Sequence, residues 1–405
     1  MSSLASVRTG LDEMALSNFE KLKSARLGVI ASTASVDFRL RHIVDLMKNS
    51  ANCNVVRLFA PEHGVRGVYQ AMEEVSTSVD LHTGIPVVSL YGSSEGSLTP
   101  KPETFEDLDV VVVDMQDIGS RYYTYAQTLC FAMRTAQKTG TKILVLDRPN
   151  PINGEDVEGS PLCSECKSFC GQYPVANRHG MTIGELAMLM HKGFCYGDNA
   201  VAPIPCELEI VCLENWSRRL YADEINWRWV QPSPNIPSVH SAVVYPGACL
   251  FEATNISEGR GTTQPFELLG APFIDGRAWA EETLKSELQL EGAILRPVSF
   301  MPQFDKYKGK ICDGIQIHVV DRERFKPFRW ALALIATAAR MYPDKFIWRQ
   351  GAYEFIEDVQ AIDLLFGSNE FRKCVERKTS LAKLLNAIAE FEAWFRNARQ
   401  EFLLY

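Results

Sequence analysis

The chain has 405 residues, a length at which two domains are expected. Hydrophobic residues make up 46% and charged residues 23%, as in an ordinary globular protein. The formal net charge of −8 argues against a large nucleic-acid-binding surface.

The N-terminal segment, residues 1–22, lacks the basic start and apolar core of a secretory signal peptide. No apolar run reaches the 18 residues that a membrane-spanning helix needs. We therefore expect a cytoplasmic protein without a membrane or nucleic-acid partner. The sequence leaves its oligomeric state open.

Apolar strands alternate with helical segments in the first half of the chain. Strands are predicted at Leu27–Ala31, Val55–Ala60, Ile85–Tyr91, Asp109–Met115, Lys142–Leu146 and Glu207–Leu213. Helices are predicted at residues 1–24, Phe38–Met47, Thr124–Lys138 and from Ile183 onward, where Thr182 and Glu185 form a capping pattern. This alternation predicts an α/β fold with a Rossmann-like, doubly wound and mainly parallel sheet.

The pattern changes after the proline-rich stretch Trp227–Pro237. Strands at Leu295–Phe300 and Gly314–Val320 and helices at Pro327–Met341 and Leu381–Phe402 indicate a smaller C-terminal α+β domain. We place the two domains at residues 1–240 and 241–405, with a cleft between them.

Glu62 and His63 directly follow the second strand, which Pro61 ends. Gly64 and Gly67 allow a tight backbone path there. Ligands bind at the carboxyl ends of strands in open α/β sheets, so this carboxyl and imidazole are candidates for acid–base chemistry. The alternative is a structural turn in which Glu62 caps a helix.

Further polar residues follow the other strands of the predicted sheet. They are Tyr91 and Glu95, then Asp114, Gln116, Asp117 and Arg121, then Asp147, Arg148 and Asn150. Tyr122, Tyr123 and Tyr125 add aromatic surface. One edge that collects so many ionisable groups indicates a site, although helix capping and Asp–Arg pairing explain single members equally well.

Two later segments add candidates. The long loop of residues 151–180 ends in Arg178 and His179. The segment 251–267 loses apolar periodicity and is dense in carboxylates, hydroxyls and one arginine, which favours a site over a structural loop.

Metal and cofactor signals are weak. Cys163, Cys166 and Cys170 form a C-x2-C-x3-C pattern with His179 nearby, but a second cysteine pair is missing, so we favour free thiols over structural zinc. Neither a dinucleotide-binding nor a P-loop glycine motif occurs. We therefore predict no cofactor and no metal.

Six blocks in order resemble one bacterial family, the NamZ-like exo-β-N-acetylmuramidases, long known only as a domain of unknown function. The blocks are Pro61–Gly64, Asp114–Tyr125, Asp147–Pro151, Arg178–Thr182, Pro232–Pro237 and Glu258–Thr263. The resemblance is dense from Leu27 to Phe266 and looser to the end. It implies removal of terminal N-acetylmuramic acid from the non-reducing end of a small glycan or muropeptide.

The resemblance and the strand-end pattern together define the candidate site. The predicted catalytic residues are Glu62, His63, Asp117 and Glu258. The predicted substrate-binding residues are Asp114, Arg121, Tyr123, Tyr125, Arg148, Asn150, Arg178, His179, Asn235, Glu252, Asn255, Arg260 and Thr262.

Glycoside hydrolysis needs a protonated carboxyl group for the leaving oxygen, and we assign that role to Glu62. The second group stays open between Glu252, Glu258, Asp114 and Asp117, or the substrate's own acetamide group. Arg260, Arg148 or Arg178 would bind the lactyl carboxylate of muramic acid. Two alternatives remain: a metal-dependent hydrolase using His63, Asp114, Asp117 and His179, and a non-catalytic muramyl-sugar-binding protein.

Overall fold

A computed structural model describes residues 6–67, 78–92, 94–197, 199–286 and 288–405. Its strands are β1 (Arg26–Ala31), β2 (Asn54–Ala60), β3 (Ser78–Val79), β4 (Pro86–Ser89), β5 (Val110–Asp114), β6 (Lys142–Leu146), β7 (Phe194–Tyr196), β8 (Asn199–Val201), β9 (Leu208–Val211), β10 (Leu268–Ala271), β11 (Ala293–Phe300) and β12 (Cys312–Val319).

Ten α-helices lie in the part of the chain that the structure describes. They are α1 (Gly10–Leu16), α2 (Ile43–Lys48), α3 (Tyr125–Thr139), α4 (Ile183–Lys192), α5 (Val239–Ala248), α6 (Gly276–Leu284), α7 (Pro327–Met341), α8 (Ala361–Phe366), α9 (Glu370–Glu376) and α10 (Leu381–Ala398). Within those ranges, no helix is both long enough and apolar enough to cross a membrane.

The central sheet has seven strands in the order β3-β4-β2-β1-β5-β6-β9. All neighbours pair in parallel except β3, which pairs antiparallel with β4 at the edge. Without β3, the six parallel strands follow the 3-2-1-4-5-6 order of a Rossmann-like sheet. The predicted fold class is therefore confirmed.

Local sequence explains the elements that frame the sheet. Val111, Val112 and Val113 of β5 are fully buried, as expected for a strand in the middle of a parallel sheet. Helix α4 begins with the predicted capping box between Thr182 and Glu185. Helix α3 ends at Gly140, whose φ of +75° suits glycine.

The C-terminal part contains a three-stranded antiparallel sheet in the order β10-β12-β11, with α6 and α7 packed nearby. The smaller α+β domain is therefore confirmed, while the exact boundary at residue 240 stays a prediction. One buried hydrophobic cluster includes residues from both halves of the chain, so the halves share a continuous core.

Several helices begin or end at residues other than those that the sequence predicts. The helix predicted at Phe38–Met47 begins only at Ile43, because Asp37 and Arg41 form a salt-bridged loop before it and His42 caps it. The predicted N-terminal helix is limited to α1 and a short 3₁₀ turn, and residues 1–5 lie outside the described residues. Helix α5 holds Pro246 in its last turn and was not predicted.

Candidate active site

A cavity lies between the carboxyl edge of the parallel sheet and the C-terminal half of the chain. Of the predicted site residues, those lining it are Glu62, His63, Tyr123, Asn235, Glu252 and Arg260. Tyr122, Thr124, Cys170, Ser233, Tyr245, Phe266, Tyr353 and Glu354 are among the other lining residues. The structure thus gathers residues that are far apart in the sequence.

Glu62 and His63 stand on a turn just beyond β2. Both are buried, and His63 has a φ of +72°, a left-handed conformation that non-glycine residues rarely adopt. Thr124, at the start of α3, donates a hydrogen bond of 2.8 Å from its hydroxyl to Oε2 of Glu62. This bond orients the carboxyl of Glu62, which lines the cavity.

Arg260 links the carboxylates of the segment 251–267. It pairs with Glu252 at 2.9 Å and with Glu258 at 3.4 Å, and Lys306 pairs with Glu258 at 2.8 Å. Burial acts to lower the pKa of Arg260, but the two carboxylates outweigh it and hold that pKa well above its ordinary value. Burial acts to raise the pKa of Glu258, but Lys306 and Arg260 outweigh it and lower that pKa. Glu258 is therefore held as an anion behind Arg260.

Tyr353 and Glu354 were missed by the sequence prediction. The hydroxyl of Tyr353 donates a hydrogen bond of 2.7 Å to Glu252. The Glu354 carboxyl faces the same cavity as Glu62, and burial together with the charges of Glu62 and Glu252 raises its pKa to about 8. Apolar periodicity gave no signal here, since Glu354 sits in a tight turn between helices α7 and α8.

Two predicted residues form a buried ion pair behind the strand ends instead of lining the cavity. Nη2 of Arg148 lies 2.9 Å from Oδ2 of Asp114, and Nε of Arg148 also contacts that carboxylate. Both side chains are buried, and Arg148 also donates to the backbone oxygen of Val36. This pairing is the simple structural alternative that the sequence left open.

The side chains of Arg121, Arg178 and Asn150 also bond to groups in the protein interior. Arg178 pairs with Asp156 and Glu158, both at 3.0 Å. Arg121 donates to four backbone carbonyls, two of which belong to α8. Asn150 donates to the backbone oxygen of Met181 at 3.0 Å. Among the three predicted cation candidates, Arg260 is the one that lines the cavity.

His179 and Asp117 form a second buried pair, with Nε2 of His179 3.4 Å from Oδ2 of Asp117. Tyr125 donates a 2.7 Å hydrogen bond to the backbone oxygen of Pro232, which orders the proline-rich wall of the cavity. Asn255 and Thr262 bond to nearby backbone groups. A direct substrate contact for these five residues stays a prediction.

The cysteines of the loop are free thiols. Cys166 and Cys170 are buried, and Cys170 lines the cavity, while Cys163 is half-buried. His179 is engaged with Asp117 and with the backbone of Met181. Across the described ranges, no group of three or more His, Cys, Asp or Glu side chains is arranged to hold a metal ion.

Chemically, the cavity combines three carboxyl groups, an imidazole, a guanidinium and several tyrosine rings. Tyr123 packs edge-on against Tyr125 and Tyr245, with ring centroids 4.9 and 6.1 Å apart. Carboxyl groups beside aromatic and amide side chains suit the cleavage of a bond between sugars.

Family models described as the N-terminal and C-terminal parts of exo-β-N-acetylmuramidase NamZ match residues 27–240 and 243–405. The peptidoglycan β-N-acetylmuramidase NamZ of Bacillus subtilis is 41% identical over 399 residues, covering 98% of this chain and 91% of the relative.

Two crystal structures of DUF1343 family proteins from Bacteroides fragilis share the fold. One has a TM-score of 0.85 at 31% identity and covers 98% of this chain and 99% of its own. The other has a TM-score of 0.75 at 27% identity and covers 99% of both chains.

Proposed function

Because the chain belongs to the exo-β-N-acetylmuramidase NamZ family, we propose that it hydrolyses the bond after a terminal N-acetylmuramic acid in this cavity. The enzyme is an exo-acting glycosidase that releases this sugar from the non-reducing end of peptidoglycan fragments. The observation that carries the proposal is the buried Glu62, held by Thr124 at a strand end and facing a cavity lined by tyrosines.

The same geometry supports Glu62 as a catalytic carboxyl at the reacting bond. His63 and Asn235 also line the cavity, which supports a role for both in contacting the sugar ring. Asp117 lies beside His179 and Glu258 is paired with Arg260, so we assign both carboxylates a supporting role behind the cavity. A cytoplasmic location stays a prediction from sequence.

The activity is tested with two chromogenic substrates, the 4-nitrophenyl β-glycosides of N-acetylmuramic acid and of N-acetylglucosamine. We expect turnover of the muramic compound alone, at the same rate with and without EDTA. Loss of turnover in EDTA would point to a metal-dependent hydrolase. Saturable binding of muramic acid without any turnover would contradict the proposal and indicate a sugar-binding protein.

Arg260 is the proposed partner of the lactyl carboxylate, which distinguishes muramic acid from glucosamine. Its guanidinium lies 5.2 Å from the ring of Phe266 and its Nε is buried without a hydrogen-bond partner among the described residues. A planar guanidinium binds a carboxylate through two hydrogen bonds, whereas lysine presents a point charge.

We therefore expect Arg260→Lys to raise KM for the muramic glycoside by about 10- to 100-fold, the equivalent of one charged hydrogen bond. The effect on kcat should be smaller. Arg277→Lys, at an exposed position of α6, is the matched control. An unchanged KM in Arg260→Lys would remove Arg260 from this role.

A further inference from the structure

We infer that Glu354 is the second catalytic carboxyl of this site and the proton donor to the leaving oxygen, with Glu62 as the other catalytic carboxyl. The inference rests on the proposed function and deepens it. The sequence assigns the proton-donor role to Glu62. The structure assigns it to Glu354, which does not follow a strand of the sheet.

The first support is the placement of the Glu354 side chain. The residue is only 8% exposed and lines the cavity together with Glu62. Its Oε2 is buried without a hydrogen-bond partner in the described part of the chain. A buried carboxylate oxygen without a donor is costly, so Glu354 favours its neutral, protonated form. Glu62 differs, because its Oε2 accepts a hydrogen bond from the Thr124 hydroxyl.

The second support is the backbone that carries Glu354. Tyr353 and Ile356 exchange two hydrogen bonds of 3.0 Å, which close a two-residue turn around Glu354 and Phe355. These two residues have φ of +46° and +67°. Such turns normally contain asparagine, aspartate or glycine, so glutamate and phenylalanine are strained there. Strained backbone conformations cluster at functional sites, so the strain here supports a functional role for the Glu354 side chain.

Neighbouring contacts hold the turn in this conformation. The ring of Phe355 packs against Tyr91 with centroids 6.1 Å apart, and Tyr353 is hydrogen-bonded to Glu252. The ionisable groups around the Glu354 carboxyl are Glu62, His63, Tyr91, Glu252, Arg260 and Arg349, with Cys170 and Tyr353. Glu252 is paired with Arg260, and the nearby carboxylates of Glu62 and Glu252 favour the protonated form of Glu354.

The reaction then balances as follows. The bond between C1 of the sugar and the leaving oxygen breaks, and its electron pair stays on that oxygen, which takes the proton of Glu354. A water molecule supplies the hydroxyl group that ends on C1. The remaining proton of that water returns to the carboxyl pair, which again holds one proton.

The test compares Glu354→Gln with the wild type on two substrates. One is a β-linked disaccharide of N-acetylmuramic acid and N-acetylglucosamine, whose leaving oxygen needs a proton. The other is the 4-nitrophenyl glycoside, whose leaving group is stable as an anion. We expect a loss of about 10²-fold or more on the disaccharide and a change of only about threefold on the nitrophenyl compound. Glu357→Gln, exposed three residues further on, is the control.

Equal losses on both substrates, or no loss on either, would overturn the proton-donor assignment. If the wild type cleaves neither substrate, the proposed function fails, and a stability measurement still tests Glu354. Its raised pKa means that the folded state binds a proton that the unfolded state has released. Wild-type stability should therefore fall as pH rises from about 5 to about 8, relative to Glu354→Gln. A Tm difference independent of pH would show that Glu354 does not hold the proton.

Discussion

Glu62→Gln is expected to reduce kcat/KM on both the disaccharide and the nitrophenyl glycoside by about 10³-fold or more. Glutamine keeps the shape of the side chain and can still accept the Thr124 hydrogen bond through its amide oxygen. It cannot act as a base or carry the charge that the developing positive sugar requires. The loss on both substrates distinguishes this variant from Glu354→Gln.

The fold of Glu62→Gln should remain intact, because the substitution removes a buried charge without removing volume. Circular dichroism and Tm should match the wild type. The pKa of Glu354 should also fall toward its ordinary range, since the Glu62 charge is the second largest cause of its elevation after burial. Glu106→Gln, at an exposed position before β5, is the control. Near-wild-type turnover in Glu62→Gln would exclude Glu62 from catalysis.

One side of the cavity could be predicted from the sequence, because a strand that is recognisable by its apolar residues is followed directly by ionisable side chains. Val55–Ala60 is an apolar run that Pro61 ends, and in a parallel sheet the next polar residues face the ligand edge. Glu62 and His63 could therefore be assigned to the edge of the cavity from the sequence alone. The segment 251–267 was found for a related reason, since its density of polar groups exceeds what a loop needs.

The other side of the cavity depends on contacts between distant segments, which sequence spacing does not encode. Glu354 lies nearly 300 residues after Glu62, in a turn whose sequence lacks the usual turn residues. Only the structure points to Glu354, through the burial of its side chain and its positive φ. Conversely, Arg148 and Arg178 were candidates for binding a carboxylate of the substrate, yet Arg148 pairs with Asp114, and Arg178 pairs with Asp156 and Glu158.

Arg148→Met is expected to lower the free energy of unfolding by about 3–5 kcal/mol, because it leaves Asp114 buried and unpaired at the end of β5. Adding Asp114→Leu should recover much of this loss, since an apolar pair avoids the desolvated charge. Arg26→Met breaks an exposed pair with Asp107 and should cost at most about 1 kcal/mol. Urea unfolding of the four proteins measures these differences.

The same variant decides between the two interpretations of Arg148. Arg148 is held in a buried ion pair and is not among the residues that line the cavity, so a purely structural role predicts an unchanged KM for the muramic glycoside well below the unfolding transition. A raised KM at full stability would instead make Arg148 a substrate ligand and weaken the case for Arg260. Arg148 would then bind the substrate directly, and Asp114 would orient the side chain of Arg148.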